Sequence, residues 1–242
     1  MFLINKILPK VTFNSLLNLF SYLGEIKYFL QIGSHDGSMH DPLQNFILKN
    51  KSSGLLVEPQ LKMLNKCKTK YQKIQNLRYL NAAISSEKKE IKLYKVDKAL
   101  DYSHTGWASI KADRFENTIY EKNHSFQFVQ GIPLDDVIIN FDIKKIDLLQ
   151  IDTEGYDFEI LKIFNFKLFD PKIIQLEHAH LKKNEIRDAI SLLSKNNYFV
   201  LKKKNDLVCL KKKFVTPIFF IAYFFLRITE SLKSRFYNFY EG

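Results

Sequence analysis

Two stretches of this chain, FLQIGSHDG at 29–37 and IDLLQIDTEGYDFEIL at 146–161, set a short apolar run against an abrupt stop of glycine and acidic side chains. Apolar runs of this kind fit strands buried on both faces of a parallel sheet. Ligands of open parallel sheets sit just beyond the carboxyl ends of such strands. Two ends carrying Gly33, Asp36, Gly37, Asp152 and Glu154 therefore point to one nucleotide-like ligand and one reactive centre. The chain reads as an enzyme.

Gly33 and Gly37 bracket Ser34, His35 and Asp36. Glycine there lets the backbone approach a ligand closely, and the helix that follows offers free N–H groups. The G-x-x-x-G spacing is not the dinucleotide fingerprint, and alone it marks a plain turn as readily as a ligand loop. Glu58 closes the next apolar run, GLLVE, where a carboxylate can accept both hydroxyls of a ribose. By itself Glu58 reads equally as a capping or solvent carboxylate. Together the two features favour a nucleoside.

The elements that must position these residues follow from periodicity. Residues 14–24 have helical apolar spacing, with Asn14 or Ser15 as the cap and Gly24 as the stop. Strands are expected at 27–33, 54–58, 77–84 and 90–96, with helices at 41–50 and 60–72 between them. Region 97–127 is polar and aromatic with little periodicity, and it is the expected substrate loop or lid. A short helix opens at Leu134, and Asp135 and Asp136 read as its cap. A strand at 146–151, a helix at 156–164, a strand at 173–177, a helix at 184–196 and strands at 197–202 and 207–211 complete the sheet. This alternation is the pattern of an α/β doubly wound sheet with helices on both faces. Three segments result: a helical lead-in at 1–25, one domain at 26–212, and a basic, apolar extension at 213–242.

With 46% hydrophobic residues the chain is ordinary for a globular protein, which excludes wholesale disorder. Cys67 and Cys209 are far apart and without a C-x-x-C, so neither a disulfide framework nor a zinc site is expected, and a reducing cytosol fits. The first eight residues lack a long apolar core and a cleavage site, so no secretory signal is expected. Net charge is +11, with lysines gathered at 202–204 and 211–213. No nucleic-acid-binding signature accompanies that charge, and no nucleic-acid partner is expected.

LQIGSHDG, LVEP, NAAIS, PLDDVI and IDLLQIDTEGYDFEIL occur in the order and spacing of the FkbM-type S-adenosylmethionine-dependent methyltransferases, which this chain resembles over about residues 28–180. The resemblance implies the Rossmann-like class I methyltransferase fold: a mostly parallel seven-stranded sheet whose last hairpin inserts an antiparallel strand. It also implies methyl transfer to a hydroxyl, of a sugar in a surface glycan or glycolipid, or else of a small metabolite or polyketide. A silent Rossmann-like domain that binds glycan or a partner is the reading from another class.

Carried over by residue, the resemblance implies that Gly33, Ser34, His35, Asp36 and Gly37 flank the methionine part of the cofactor. Glu58 would hold the ribose, and Asn81, Ala82 and Ala83 would lie along the adenine. Members often read GANxG where this chain has GSHDG, so His35 brings a bulky, titratable group to that loop. Methyl transfer to an alcohol needs alignment and removal of a proton. Asp152 is the first candidate for base and His178 the second. Asp152, Glu154 and His178 are also candidate ligands of a divalent cation such as Mg2+. Trp107, Ser109 and Glu154 are the candidate acceptor contacts. Glu154 reads equally as a helix cap, His178 has a structural reading, His180 reads as solvent-facing, and Trp107 either stacks on a substrate or pins the lid.

The extension holds an apolar stretch from Pro217 to Leu226, about half of what spans a bilayer. It reads either as an apolar helix docking the protein on an anionic membrane surface or as a helix buried against the domain or in a homodimer interface. The expected location is cytoplasmic, peripheral to the inner face of the membrane on the first reading.

Overall fold

A computed structural model describes residues 11–50 and 52–225 of the protein. The chain runs through α1 (Phe13–Tyr22), β1 (Tyr28–Ile32), α2 (Gln44–Lys49), β2 (Ser53–Val57), α3 (Leu61–Lys70) and β3 (Leu77–Leu80). Four strands then leave the main sheet: β4 (Ala83–Ser85), β5 (Lys89–Val96), β6 (Ala108–Ser109) and β7 (His124–Pro133). The chain returns through α4 (Leu134–Asn140), β8 (Leu148–Ile151), α5 (Asp157–Ile163), β9 (Ile173–Glu177), α6 (Lys183–Lys195), β10 (Tyr198–Lys202) and β11 (Asp206–Lys211).

The main sheet has seven strands in the order β3-β2-β1-β8-β9-β11-β10. It is mixed rather than purely parallel, because β11 runs antiparallel to both β9 and β10. Period-two alternation gives each strand two apolar faces. Leu30, Ile32, Leu149, Ile151, Ile174 and Leu176 pack under α4, α5 and α6. Phe29, Leu56, Leu148, Ile173 and Val208 pack under α1, α2 and α3. Burial on both faces is why these strands read as near-continuous apolar runs, interrupted in β1, β8 and β9 only by the buried Gln31, Gln150 and Gln175. Cys67 and Cys209 are buried free thiols in the two opposite cores.

Three expectations need correction. The cap of α1 is Thr12, whose Oγ1 accepts from Ser15 N at 3.1 Å while Ser15 Oγ accepts from Thr12 N at 2.9 Å. The expected strand at 77–84 is two strands in two sheets, broken at Asn81, whose Nδ2 donates to the backbone oxygens of Glu58 and Pro59. The strand expected at 90–96 joins a second, four-stranded sheet in the order β4-β7-β5-β6, which no sequence pattern announces. Its longest member, β7, begins inside the region that reads as a loop. One of its faces, with Phe126, Phe128 and Gln130, is exposed and the other is only half-buried, so the polar-apolar alternation of a core strand is missing there.

Residues 217–225 are helical; Phe219 and Tyr223 are buried in the second core while Ile218, Ile221, Phe224 and Phe225 are exposed. Leu226, the last residue of the expected apolar stretch, and 227–242 of the expected extension lie outside the described residues. Among the described residues no helix is long and apolar enough to cross a membrane.

Gly54 in β2 faces the fully buried ring of Phe29, and a Cβ at Gly54 would lie 2.3 Å from it. Gly54→Ala is expected to destabilise the fold by about 1–3 kcal/mol, the range for overpacking a tight core. A urea midpoint equal to that of the parent protein would refute this packing account.

Candidate active site

At the carboxyl end of the main sheet, one transverse row gathers a glycine and four carboxylates. Ile32 is in register with Val57 on one side and Ile151 on the other, and Ile151 with Leu176. One residue further along, Glu58, Gly33, Asp152 and Glu177 therefore stand side by side, and Asp206 of β11 is in register with Glu177. Gly33 marks the gap. Its φ is +88°, and a Cβ there would lie 1.7 Å from the backbone oxygen of Asp152, so no larger residue fits.

Glycine at this point opens a cavity of about 500 Å³ over the sheet end. On one side lie Gly33, Ser34, His35, Glu58, Ala82 and Ala83. The Glu58 carboxylate is 4% exposed and accepts from His35 N at 2.9 Å and Gln60 N at 2.8 Å. Those two bonds fix the loop that carries His35 at φ +45°. Burial pushes the Glu58 carboxyl up to about 7, with the two backbone hydrogen bonds acting against it. Asp36 and Gly37 brace this loop and do not line the cavity. Asp36 accepts from Ser38 N and Met39 N, and Tyr71 donates to Gly37 O at 2.7 Å. Asn81 likewise braces Glu58 from outside the cavity wall.

On the other side lie Asp152, Glu154, Glu177, His180 and Asp206. The turn after β8 aims them. Glu154 is held at φ +56° and Gly155 at +107°, and Asp157 accepts from Thr153 N at 2.8 Å and Gly155 N at 2.9 Å. A non-glycine residue in the left-handed region costs about 1–3 kcal/mol and needs such over-determination. Glu154 therefore turns into the site rather than capping α5. Its Oε2 accepts from Arg114 Nε at 2.9 Å and Nη2 at 2.6 Å. Burial raises the Glu154 carboxyl, and Arg114 offsets that only in part. Asp152 and Glu177 are neighbours in this row, with carboxylate oxygens within 4.8 Å of each other. Burial first, then repulsion from the neighbouring carboxylates, lifts both above the usual carboxylate range, so the pair retains a proton near neutral pH.

Region 97–127 covers both halves. Tyr102 donates to Asp36 Oδ2 at 2.5 Å, Gln60 Nε2 donates to Thr105 O at 3.3 Å, and Thr105 Oγ1 meets His35 Nε2 at 3.1 Å. Burial works to raise the Asp36 carboxyl, but the bonds from Tyr102, Met39 and Ser38 outweigh it and bring it to about 2. Over the carboxylate-rich half Arg114 holds Glu154, and Lys111 Nζ donates to Glu185 at 3.1 Å. Trp107 lines the cavity beneath Arg114, whose guanidinium carbon lies 4.7 Å from the ring centre. Ser109 does not reach the cavity; it is buried, and its Oγ accepts from Lys111 N.

His178 is the main displacement from expectation. Residue 178 points to the opposite face of β9 from Glu177, where its Nε2 meets Lys203 O at 3.1 Å and its N donates to Asn205 O. It is not in the cavity wall. Glu177, in the same QLEHAH segment, stands beside Asp152 instead, and His180, read as solvent-facing, reaches the cavity. His180 Nε2 lies 3.2 Å from Arg114 Nη2 and from Glu154 Oε2, and burial together with Arg114 lowers it to about 4, so its imidazole is neutral. The expected cation ligands Asp152, Glu154 and His178 consequently do not converge.

Among the described residues, two other triads do bring ligand atoms within 4.8 Å: Glu154, Glu177 and His180, and Asp152, Asp157 and Glu177. Arg114 already supplies the cation of the first, and Asp157 of the second spends both oxygens on backbone N–H groups. These donor sets do not fit a divalent ion.

The FkbM methyltransferase domain matches residues 31–200, a span that contains every member of the transverse row except Asp206. The chain belongs to this family. No curated protein matches it. Among solved structures, it is similar to methyltransferase FkbM from Methylobacillus flagellatus KT, at 12% identity over 76% of this chain and 43% of that one, TM-score 0.49. The chain thus spans less than half the length of that protein. It is also similar to precorrin-6y C5,15-methyltransferase from Geobacter metallireducens GS-15, at 11% identity over 76% of this chain and 79% of that one, TM-score 0.39. A third is ribosomal protein L11 methylase from Lactobacillus delbrueckii subsp. bulgaricus, at 8% identity over 82% and 77%, TM-score 0.39.

The electrostatics of this FkbM-family site can be tested at two positions. Arg114→Met strands the buried Glu154 charge and is expected to cost about 3–5 kcal/mol by urea unfolding, most of it recovered in Arg114→Met/Glu154→Gln. An additive double variant would show that the pair is not coupled. Glu58 titrates at about 7 in the folded protein and near the ordinary glutamate value of 4.5 in the unfolded chain, so the folded state binds the extra proton between those values. Stability from this group is present below the lower value and lost as pH rises through the upper one. The parent protein should lose about 3 kcal/mol relative to Glu58→Gln between pH 5 and 8; parallel stability curves would contradict it.

Proposed function

We propose that the protein is an S-adenosylmethionine-dependent O-methyltransferase acting on a hydroxyl of a sugar in a surface glycan or glycolipid. The observation that carries this reading is the row in which Glu58 and Asp152 flank the gap at Gly33. The residues fit the cofactor: a Cβ at Gly33 would fill the cradle, the Ser34 hydroxyl is buried without a partner among the described residues, and Glu58 offers a buried carboxylate on the same side of the cavity. Glu58 would hold the ribose hydroxyls, the Gly33–His35 backbone the methionine part, and Ala82 and Ala83 the adenine face. When bound, the cofactor supplies an electrophilic methyl group on a sulfonium.

The protein's own tasks are orientation, proton removal and exclusion of water. Asp152 lies across the gap from Glu58, and its shared proton with Glu177 leaves one ionised carboxylate to take the hydroxyl proton. Trp107 and the braced segment from Tyr102 to Arg114 keep water from the cavity. His180, neutral and held beside Arg114, orients the Glu154 carboxylate.

Calorimetric titration with S-adenosylhomocysteine tests the reading. The parent protein is expected to bind at micromolar Kd, Glu58→Ala at least tenfold more weakly, and affinity should fall as pH drops below about 7 and Glu58 takes up its proton. Asp152→Asn is expected to bind the probe and to lose transfer of labelled methyl from S-adenosylmethionine to sugar acceptors. Absence of any binding by the parent protein would overturn the proposal; full turnover by Asp152→Asn would remove Asp152 from the chemistry.

A further inference from the structure

The protein carries 37 lysines and arginines against 26 aspartates and glutamates. The described wall of its cavity nevertheless contains no lysine or arginine and six carboxylates, of Asp41, Glu58, Asp152, Glu154, Glu177 and Asp206. Arg114 neutralises Glu154 from behind the wall. A cofactor of net charge +1 would balance one more. Of the rest, Glu177 and Asp206 lie past Asp152, away from the ribose side.

A second observation lies one pleat deeper on the same strands. Gln31, Gln150 and Gln175 stand in register across β1, β8 and β9. They are 1%, 1% and 6% exposed, line the same cavity, and the Oε1 of each has no hydrogen-bond partner among the described residues. One of the three amides is oriented by a carboxylate: Gln31 Nε2 donates to Asp41 Oδ1 at 2.8 Å. Its oxygen is therefore the end left over.

Across β1, β8, β9 and β11 the cavity thus offers acceptors in two rows and, among the described residues of its wall, no lysine or arginine to satisfy them. Neighbouring strands are about 4.8 Å apart and alternate residues about 6.6 Å apart along a strand, so the acceptors cover a patch of roughly 10 Å by 7 Å. A point cation cannot engage acceptors spread this widely. A molecule with several donors can.

We propose that the acceptor is a polyhydroxylated compound bearing a protonated amine, of the amino-sugar or aminocyclitol class, with its ammonium seated on Glu177 and Asp206 and its hydroxyls donating to the glutamine row. This rests on the methyl-transfer reading and narrows its substrate. Asp152 stays with the reacting hydroxyl, between the ammonium seat and the cofactor. The proton that burial and repulsion keep on the Asp152–Glu177 pair leaves when a cation replaces it, so amine binding is coupled to proton release.

The test uses the full chain saturated with S-adenosylhomocysteine, titrated at pH 7.5 with glucosamine, N-acetylglucosamine and glucose by ligand-observed NMR. Parent protein is expected to bind glucosamine at least tenfold more tightly than its N-acetyl counterpart, and that ratio should fall towards one in Glu177→Gln and in Asp206→Asn. Thermal unfolding of each variant checks that it is folded. Parent protein that binds S-adenosylhomocysteine but does not distinguish the three sugars overturns the amine inference and leaves the methyltransferase reading standing. A glucosamine preference that survives both substitutions overturns the seat. Magnesium chloride that raises the melting temperature of the parent protein and not of Glu177→Gln also overturns it, since the row would then take a metal ion. No binding of S-adenosylhomocysteine at all removes the methyltransferase reading on which the inference stands.

Discussion

The close approach of Gly33 to the backbone oxygen of Asp152 is the constraint on which the site depends. β1 and β8 are neighbours in the sheet, yet the chain leaves β1 towards β2 and β3 on one side and leaves β8 towards β9 on the other. Their ends must diverge, and the ligand crevice of an open sheet forms at that reversal. With no Cβ at Gly33 the two backbones can touch at the start of the divergence, which opens the crevice immediately above the last paired residues, Ile32 and Ile151. Register then does the rest: it delivers Glu58 to one side and Asp152, Glu177 and Asp206 to the other, without a long loop having to fold around a ligand.

Concentrating carboxylates in this way is costly unless something compensates. The protein uses two devices. One is a single buried cation, Arg114, brought over the site by a segment that also ties down the loop from Gly33 to Gly37 through Tyr102 and Asp36. The other is protonation, since burial and mutual repulsion leave Asp152 and Glu177 sharing a proton. Arg114 also fixes where Glu154 points, and a carboxylate pair that shares one proton is one that can accept another group's proton near neutral pH.

Much of this was legible in the sequence. Apolar runs ending at Ile32, Val57 and Ile151 identified the central strands, and Gly33, Glu58 and Asp152 were picked out by the residues that ended them. What misled was the histidine at 178. Imidazole is the obvious base near pH 7, but strand alternation sends residue 178 to the face opposite residue 152's row and sends Glu177 to it. Counting from Ile173 by twos would have named Gln175 and Glu177. Arg114 and His180 could not be found that way. Arg114 lies in a segment without periodicity, anchored by individual hydrogen bonds, and His180 follows a strand end whose turn is set by contacts distant in sequence.

By itself, the sequence determined the alternating α/β architecture, the buried central strands, the FkbM-family signature and the residues at three strand ends. These are local: apolar run length, period-two alternation and the types of residue that stop a strand are all read within a few positions. Only the tertiary structure decided that β4 to β7 form a second sheet, that Arg114 pairs with Glu154, and that the carboxylate row lies above a row of glutamines. Each of those depends on strand register and on contacts between segments tens of residues apart. A one-residue shift in register would turn the same side chains to the opposite face of the sheet.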